Sequence, residues 1–358
     1  MAITKIPAAG FTGNNFRNII INGDMSIAQR STSVASITGS GYYTVDRFGT
    51  LLTSMGTWTQ SQDNDVPSGQ GFAKSLKMAC TTADASPAAA DIVALRLNII
   101  EGQNLQYLKF GTSSAESLTL SFWVKSNKTG TYIVSFYIGN GGYQLGKTVT
   151  INSADTWEKK TITISGDTAH NFTNDNSAQL YLTFYLGVGS NRTSGTLPST
   201  WTAYSAGDEA PGQTVNLADN TSNYINITGV QLEAASAPSD FEFLPVDVNK
   251  NRCKRYFQKT MVAYMIGGWT GLHWSGSTHI GQFPIETELR TSATVAYGST
   301  FTVLGGGGVS SGYTVSGGTQ NSYGMVALNL IGTQRASSET LTFYSDDSNT
   351  FISFDAEL

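Results

Sequence analysis

In SLTLSFWVKS, Leu118, Leu120, Phe122 and Val124 alternate with Thr119, Ser121, Trp123 and Lys125. In QLYLTFYLGV, Leu180, Leu182, Phe184, Leu186 and Val188 alternate with Tyr181, Thr183 and Tyr185. A strict period of two sends each set to its own face of an extended chain, whereas a helix needs apolar residues three and four apart. Both segments therefore read as strands with the aliphatic face in a core. YIVSFYI, KTVTI and KKTITIS repeat the pattern, spaced by turn signals such as GNGG at residues 139–142. That arrangement is the signature of an antiparallel sandwich.

Other segments refine the pattern. INGDMSIAQR places Asn22 and Gly23, a turn signal, before Met25 and Ile27, which alternate with Ser26 and Ala28 as in a half-buried strand. In YINITGVQLEA the apolar parity switches from Ile225 and Ile227 to Val230 and Leu232 across Gly229, which predicts a β-bulge. DVNKNRCKRYFQK is the one good helix candidate: Asp247 caps its start, and Cys253, Tyr256 and Phe257 fall at i, i+3 and i+4. Beyond it, short β segments (TMVAYMI, ATVAYGSTFTVL, GMVALNLI, LTFYS, FISF) surround GGGG at residues 305–308. The expected organisation is an extended arm over residues 1–17, a sandwich over 18–246, a linker helix over 247–259 and a smaller C-terminal β domain over 260–358.

Composition removes several function classes. With 358 residues, a net charge of −5 and 13% charged residues, the chain lacks the basic excess of a general nucleic-acid binder, so no nucleic-acid partner is expected. No run of 18 apolar residues occurs and the first residues lack a signal-peptide core, so a soluble product made in the cytoplasm, without membrane insertion, is expected. Cys80 and Cys253, far apart, read as two buried thiols and not as a disulfide framework.

INGDMSIAQR, GYYTVDRF, WEKKTITISGD, GVQLEAASAPSDFEFLP and NRCKRYFQK, in that order over residues 18–259, resemble a family of phage tail-fibre and related virion proteins. FPIETELRTSATV, residues 283–295, is similar to the close of such fibre chains. The resemblance implies that the sandwich is a jelly roll of the carbohydrate-binding-module kind. It also implies a homotrimer, attachment to other virion proteins through the arm at 1–17, residence in the virion, and adhesion to host-surface polysaccharide. A tail fibre is the leading form. A head or capsid fibre with a structural or weakly adhesive role and a polysaccharide-degrading spike are the alternatives. INGDMSIAQR and GYYTVDRF would be framing strands, with Asp46 and Arg47 a structural pair.

Sugar recognition without chemistry needs aromatic faces and a few fixed polar groups. Trp123, Tyr137, Tyr181 and Tyr185 lie opposite the aliphatic faces of their strands and form a candidate platform, or are rings covered by a neighbouring chain or layer. GGWTGLHWSGSTH sets Trp269, His273, Trp274 and His279 among small residues, as a recognition loop or a subunit junction would. Lys250, Arg252, Lys254, Arg255 and Lys259 read as a solvated helix face, with contact to acidic sugar or nucleic acid the other reading. No cofactor is expected. A structural Ca²⁺, which jelly rolls of this kind often hold, would find oxygens at Asp63, Asn64 and Asp65 or at Asp346 and Asp347, although neither group has the spacing of a calcium loop. Glycoside cleavage needs two converging carboxylates. Glu101, Glu158, Glu233 and Glu242 are available, but nothing in their spacing pairs them, so a binding protein and not an enzyme is expected.

Overall fold

The structure is a computed structural model that describes residues 16–261, 269–275, 278–298, 301–305, 308–320, 325–331, 340–344 and 351–357. Most of the expected arm, residues 1–15, lies outside the described residues, as do Asp346 and Asp347. The chain divides into two compact units, Met1–Val246 and Asp247–Leu358.

The first unit is an antiparallel jelly-roll sandwich. Its strands are β1 (Ser33–Ile37), β2 (Gly49–Thr53), β3 (Thr57–Asp63), β4 (Ser75–Thr82), β5 (Ile92–Glu101), β6 (Leu118–Ser126), β7 (Gly130–Ile138), β8 (Tyr143–Ile151), β9 (Glu158–Ile164), β10 (Ala178–Val188), β11 (Thr202–Ala203) and β12 (Tyr224–Ala234). One six-stranded sheet runs β1-β3-β4-β12-β6-β9 and the other β11-β8-β7-β10-β5-β2. Leu118, Leu120 and Phe122 from the first sheet meet Phe136, Leu180, Leu182 and Phe184 from the second in one core, and the rings of Phe122 and Phe184 pack edge to face at 5.1 Å. Each such buried side chain contributes roughly 1.5 to 3 kcal/mol. Trp58, fully buried, donates its indole N–H to the Met55 carbonyl at 2.8 Å. Cys80 and Cys253 are both buried free thiols.

Alternation failed at one end of β10. Val188 was expected beside Leu186 in the core, but the β10–β5 register slips between Tyr185 and Gly187. Val188 packs instead with Ile92, Ala94, Ile133, Tyr185 and Ala210 on the outer face of the second sheet. A bulge exchanges the faces beyond it.

The bulge at Gly229 is present, with φ +62 and a register break in β12–β6 between Thr228 and Gln231. It has a consequence for the start of the unit. β12 pairs with β4 only through Tyr224–Ile227. Past the bulge the vacated edge is taken by the INGD segment: Val230 N–H donates to Gly23 O at 2.9 Å and Ile19 N–H to Leu232 O at 2.8 Å. Asn18, buried, donates to Val230 O and accepts from the N–H groups of Ile20 and Leu232. Just before it, Glu242 accepts the backbone N–H groups of Phe16, Arg17 and Asn18.

INGDMSIAQR and GYYTVDRF are therefore not framing strands. The first is a turn and irregular chain, and the second makes one bridge, Gly41 to Thr50, before turning into β2. Side chains hold them together: Asn22 Nδ2 donates to the carbonyls of Ile27 and Asp46, and fully buried Asp46 accepts from Gln29 N–H at 3.0 Å with Arg30 at 3.9 Å. Asp46 thus has a structural role, and its partners include Gln29 and Arg30.

The helix α1 spans Val246–Lys254, beginning on the last residue of the first unit and ending five residues short of the expected 259. Tyr256 follows in a turn, and Phe257 begins β13 (Phe257–Met261). The aromatic and alternating character of YFQKTM favours pairing once a partner strand is present. That partner is β21 (Phe351–Asp355), in the sheet β13-β21-β16 with β16 at Thr294–Tyr297. Six further strands close a barrel in the order β14-β15-β19-β18-β17-β20: β14 (Trp269–Ser275), β15 (Thr278–Pro284), β17 (Phe301–Gly305), β18 (Gly308–Gln320), β19 (Met325–Ile331) and β20 (Thr340–Tyr344). Lys254, expected on a solvated face, is buried and paired with Glu286, and Lys259 lies 4.3 Å from the Phe351 ring centroid.

Candidate functional site

On the outer face of the second sheet, side chains that alternate with the core residues form a cross-strand array. Tyr181 on β10 stands opposite Tyr137 on β7, which stands opposite Gln144 on β8. Two residues along β10, Thr183 lies between Ser135 on β7 and Arg96 on β5. Such directly opposed residues have neighbouring side chains, so antiparallel pairing assembles the array from remote parts of the chain. The rings of Tyr137 and Tyr181 meet edge to face at 5.4 Å, and the Arg96 guanidinium lies 5.2 Å from the Tyr181 ring centroid.

The wall comes from the connection between β10 and β12. Tyr204, 46% exposed, packs edge to face on Tyr137 at 5.5 Å and donates its phenol to Glu209 at 2.7 Å. Glu209 also pairs with Arg192. Burial, then the hydrogen bond and charge of Glu209, push the Tyr204 phenol up to about 12, so it remains a neutral donor. Gln144 donates to the Ser205 carbonyl at 2.9 Å and ties this wall to β8.

Together these residues line a cleft of about 420 Å³, within the range that small ligands and short oligosaccharides occupy. The floor is polar, with Ser135, Thr183 and Gln144, and the sides carry tyrosine rings. The arrangement offers ring faces, neutral donors and acceptors, and cationic guanidinium groups.

The four expected platform residues divide. Tyr137 and Tyr181 are half-buried and line the cleft together. Tyr185 also borders it, but at 4% exposure it is part of the floor, with Ser135 donating to its phenol at 3.4 Å. Burial, with the nearby charge of Glu209, raises the pKa of Tyr185. Trp123 stands apart: it is on β6 in the other sheet, paired with Lys159 and Thr228. Alternation assigns a face to each residue but not a sheet, so it groups Trp123 with the others. Trp269, His273 and Trp274 are on strand β14 and not in a recognition loop, with His273 opposite His279 on β15.

Arg96, Gln144, Arg192, Tyr204 and Glu209 escaped sequence reasoning. Arg96 did leave a signal, a lone cation at an outward position of the apolar run IVALRL.

The remaining candidates are structurally engaged. Lys77 is 3.5 Å from Asp63, Lys74 donates to Asn64 at 2.6 Å, and Asp65 accepts from Lys125 at 2.6 Å and Trp157 at 2.9 Å. Among the carboxylates, Glu101 accepts from Gln103, Glu158 from Asn152, Ser153 and Lys160, and Glu233 from Gln231 and Ser239, while Glu242 holds residues 16–18.

No family model matches the chain, and no curated protein does. Solved structures similar to it include the enzymatically active domain of tailspike protein 4 of bacteriophage CBA120, at 14% identity and TM-score 0.32 over 62% of this chain and 22% of that one. A family 11 carbohydrate-binding module of a cellulosomal cellulase from Clostridium thermocellum aligns at 11% identity and TM-score 0.28, covering 56% of this chain and 97% of the module. The xylan-binding domain of a Paenibacillus barcinonensis protein aligns at 12% identity and TM-score 0.26, covering 62% and 96%.

Proposed function

We propose that the chain is a phage fibre subunit, in the first instance of a tail fibre, whose jelly-roll unit adheres to host-surface glycan through the Tyr137–Tyr181–Tyr204 cleft without cleaving it. The observation that carries the reading is the cleft itself, in which paired aromatic rings stand beside a polar floor and an extended polysaccharide can be stacked and hydrogen-bonded. The fibre assignment is supported by the ordered motifs of the sequence, two of which, INGD and GVQLE, interlock at Gly23 and Val230. Trimeric assembly belongs to the same proposal.

The test is adsorption of purified protein to host cells and to a glycan array. Tyr181→Ala is expected to weaken binding by about 1 to 3 kcal/mol while the melting temperature stays nearly unchanged. Binding indifferent to Tyr181→Ala overturns the cleft assignment. Sustained release of reducing ends from host polysaccharide overturns the non-catalytic reading. Light scattering that returns a monomer at micromolar concentration removes the trimer.

A further inference from the structure

Charge in the cleft is unevenly matched. Arg192 and Glu209 neutralise one another, and Glu209 is further engaged by the Tyr204 phenol. Arg96 is not balanced in this way. It is partly buried, no carboxylate among the described residues pairs with it, its Nε is buried without a hydrogen-bond partner, and its guanidinium lies over the Tyr181 ring. Taking a guanidinium out of water without an anion is costly, and stacking on an aromatic face offsets only part of that cost.

The position of Arg96 is also informative. It lies opposite Thr183, two residues from Tyr181 along the strand, which is about 7 Å at the ordinary strand rise. A sugar ring held in the cleft beside the Tyr137 and Tyr181 rings therefore has one of its substituents within reach of Arg96. The planar fork of a guanidinium matches the two oxygens of a carboxylate, and the neutral hydroxyls and amide of Ser135, Thr183 and Gln144 suit the remaining hydroxyl groups.

We infer that the cleft is selective for carboxylate-bearing sugars, such as a hexuronate-containing polysaccharide, with Arg96 as the residue that reads the charge. This rests on the reading of the cleft as a glycan site.

Isothermal titration with oligogalacturonate and oligomannuronate, each compared with its carboxyl-reduced counterpart, tests it on the full chain. Wild-type protein is expected to bind at least one acidic oligosaccharide on the order of tenfold more tightly than the reduced form, with affinity falling as salt is raised. Arg96→Gln is expected to remove that preference at an unchanged melting temperature, and Arg96→Lys to restore part of it. Equal affinity for acidic and reduced forms, or a preference that survives Arg96→Gln, overturns the inference. If Tyr181→Ala then weakens binding of both forms alike, the glycan cleft stands and only its charge selectivity falls. Failure to bind any of the four probes overturns the inference, and the glycan array then decides the fate of the cleft separately.

Discussion

Val230 donates its backbone N–H to the carbonyl of Gly23 at 2.9 Å, joining residues near the two ends of the jelly-roll unit. The contact leaves no room for a side chain: a Cβ on Gly23 would lie 2.0 Å from Val230 O. Gly23→Ala must therefore displace backbone on one side or the other and break the edge that Asn18 and Ile19 complete. A loss of about 2 to 4 kcal/mol in denaturant unfolding is expected, in the range of overpacked and hydrogen-bond-breaking substitutions. Gly39→Ala, where an added Cβ meets nothing within 4 Å, is the control and is expected to be nearly neutral. Equal behaviour of the two variants would refute the account.

A second expectation concerns acid. Burial tends to raise the pKa of Glu158, but hydrogen bonds from Lys160, Ser153 and Asn152 outweigh it and hold the carboxyl at about 2, against an ordinary 4.5. Because the folded value is depressed, the stabilisation is present above about 4.5 and is lost as pH falls toward about 2. Glu158→Gln is expected to be less stable than wild type at neutral pH, with the difference shrinking through that window. Asp63 and Asp65, also lowered overall despite burial, leave a residual acid dependence in the variant. A constant difference from neutral pH to pH 2 would count against the hydrogen-bond account.

The cleft wall offers a third. Removing Glu209 leaves Arg192 without its carboxylate and Tyr204 without its acceptor. Glu209→Ala is expected to cost about 1 to 3 kcal/mol, and to move the Tyr204 phenol down from about 12 toward its ordinary 10.0 as the carboxylate no longer opposes phenolate. A difference titration of tyrosinate absorbance between variant and wild type reads this directly. An unshifted phenol would mean that Glu209 does not control the wall.

Sequence reasoning reached the sandwich because alternation is local: Leu180, Leu182 and Phe184 are in the core as their spacing requires. It reached the bulge at Gly229 because a parity switch is also local. It did not reach the cleft as a unit. Tyr137 and Tyr181 meet through strand pairing, and Tyr204 and Glu209 are brought over them by an irregular connection whose path leaves no periodic trace. Trp123 falls in the other sheet because face and sheet are separate variables. The i, i+3, i+4 stripe at Cys253, Tyr256 and Phe257 carries the expected helix past Lys254, whereas the pairing of Phe257 with Asp355 makes that end a strand.

The meeting of Glu242 with the N–H groups of Phe16, Arg17 and Asn18 has a mechanical consequence. A pull along the chain enters the jelly-roll unit near residue 16 and leaves it near residue 242, two points already bound to each other. Tension is therefore short-circuited through the Glu242 clasp and the Gly23–Val230 edge, and the opposed hydrophobic sheets form a closed side loop outside the direct line of force. Under steady load the clasp is therefore expected to open first, with the sandwich and its cleft keeping their shape until it has given way.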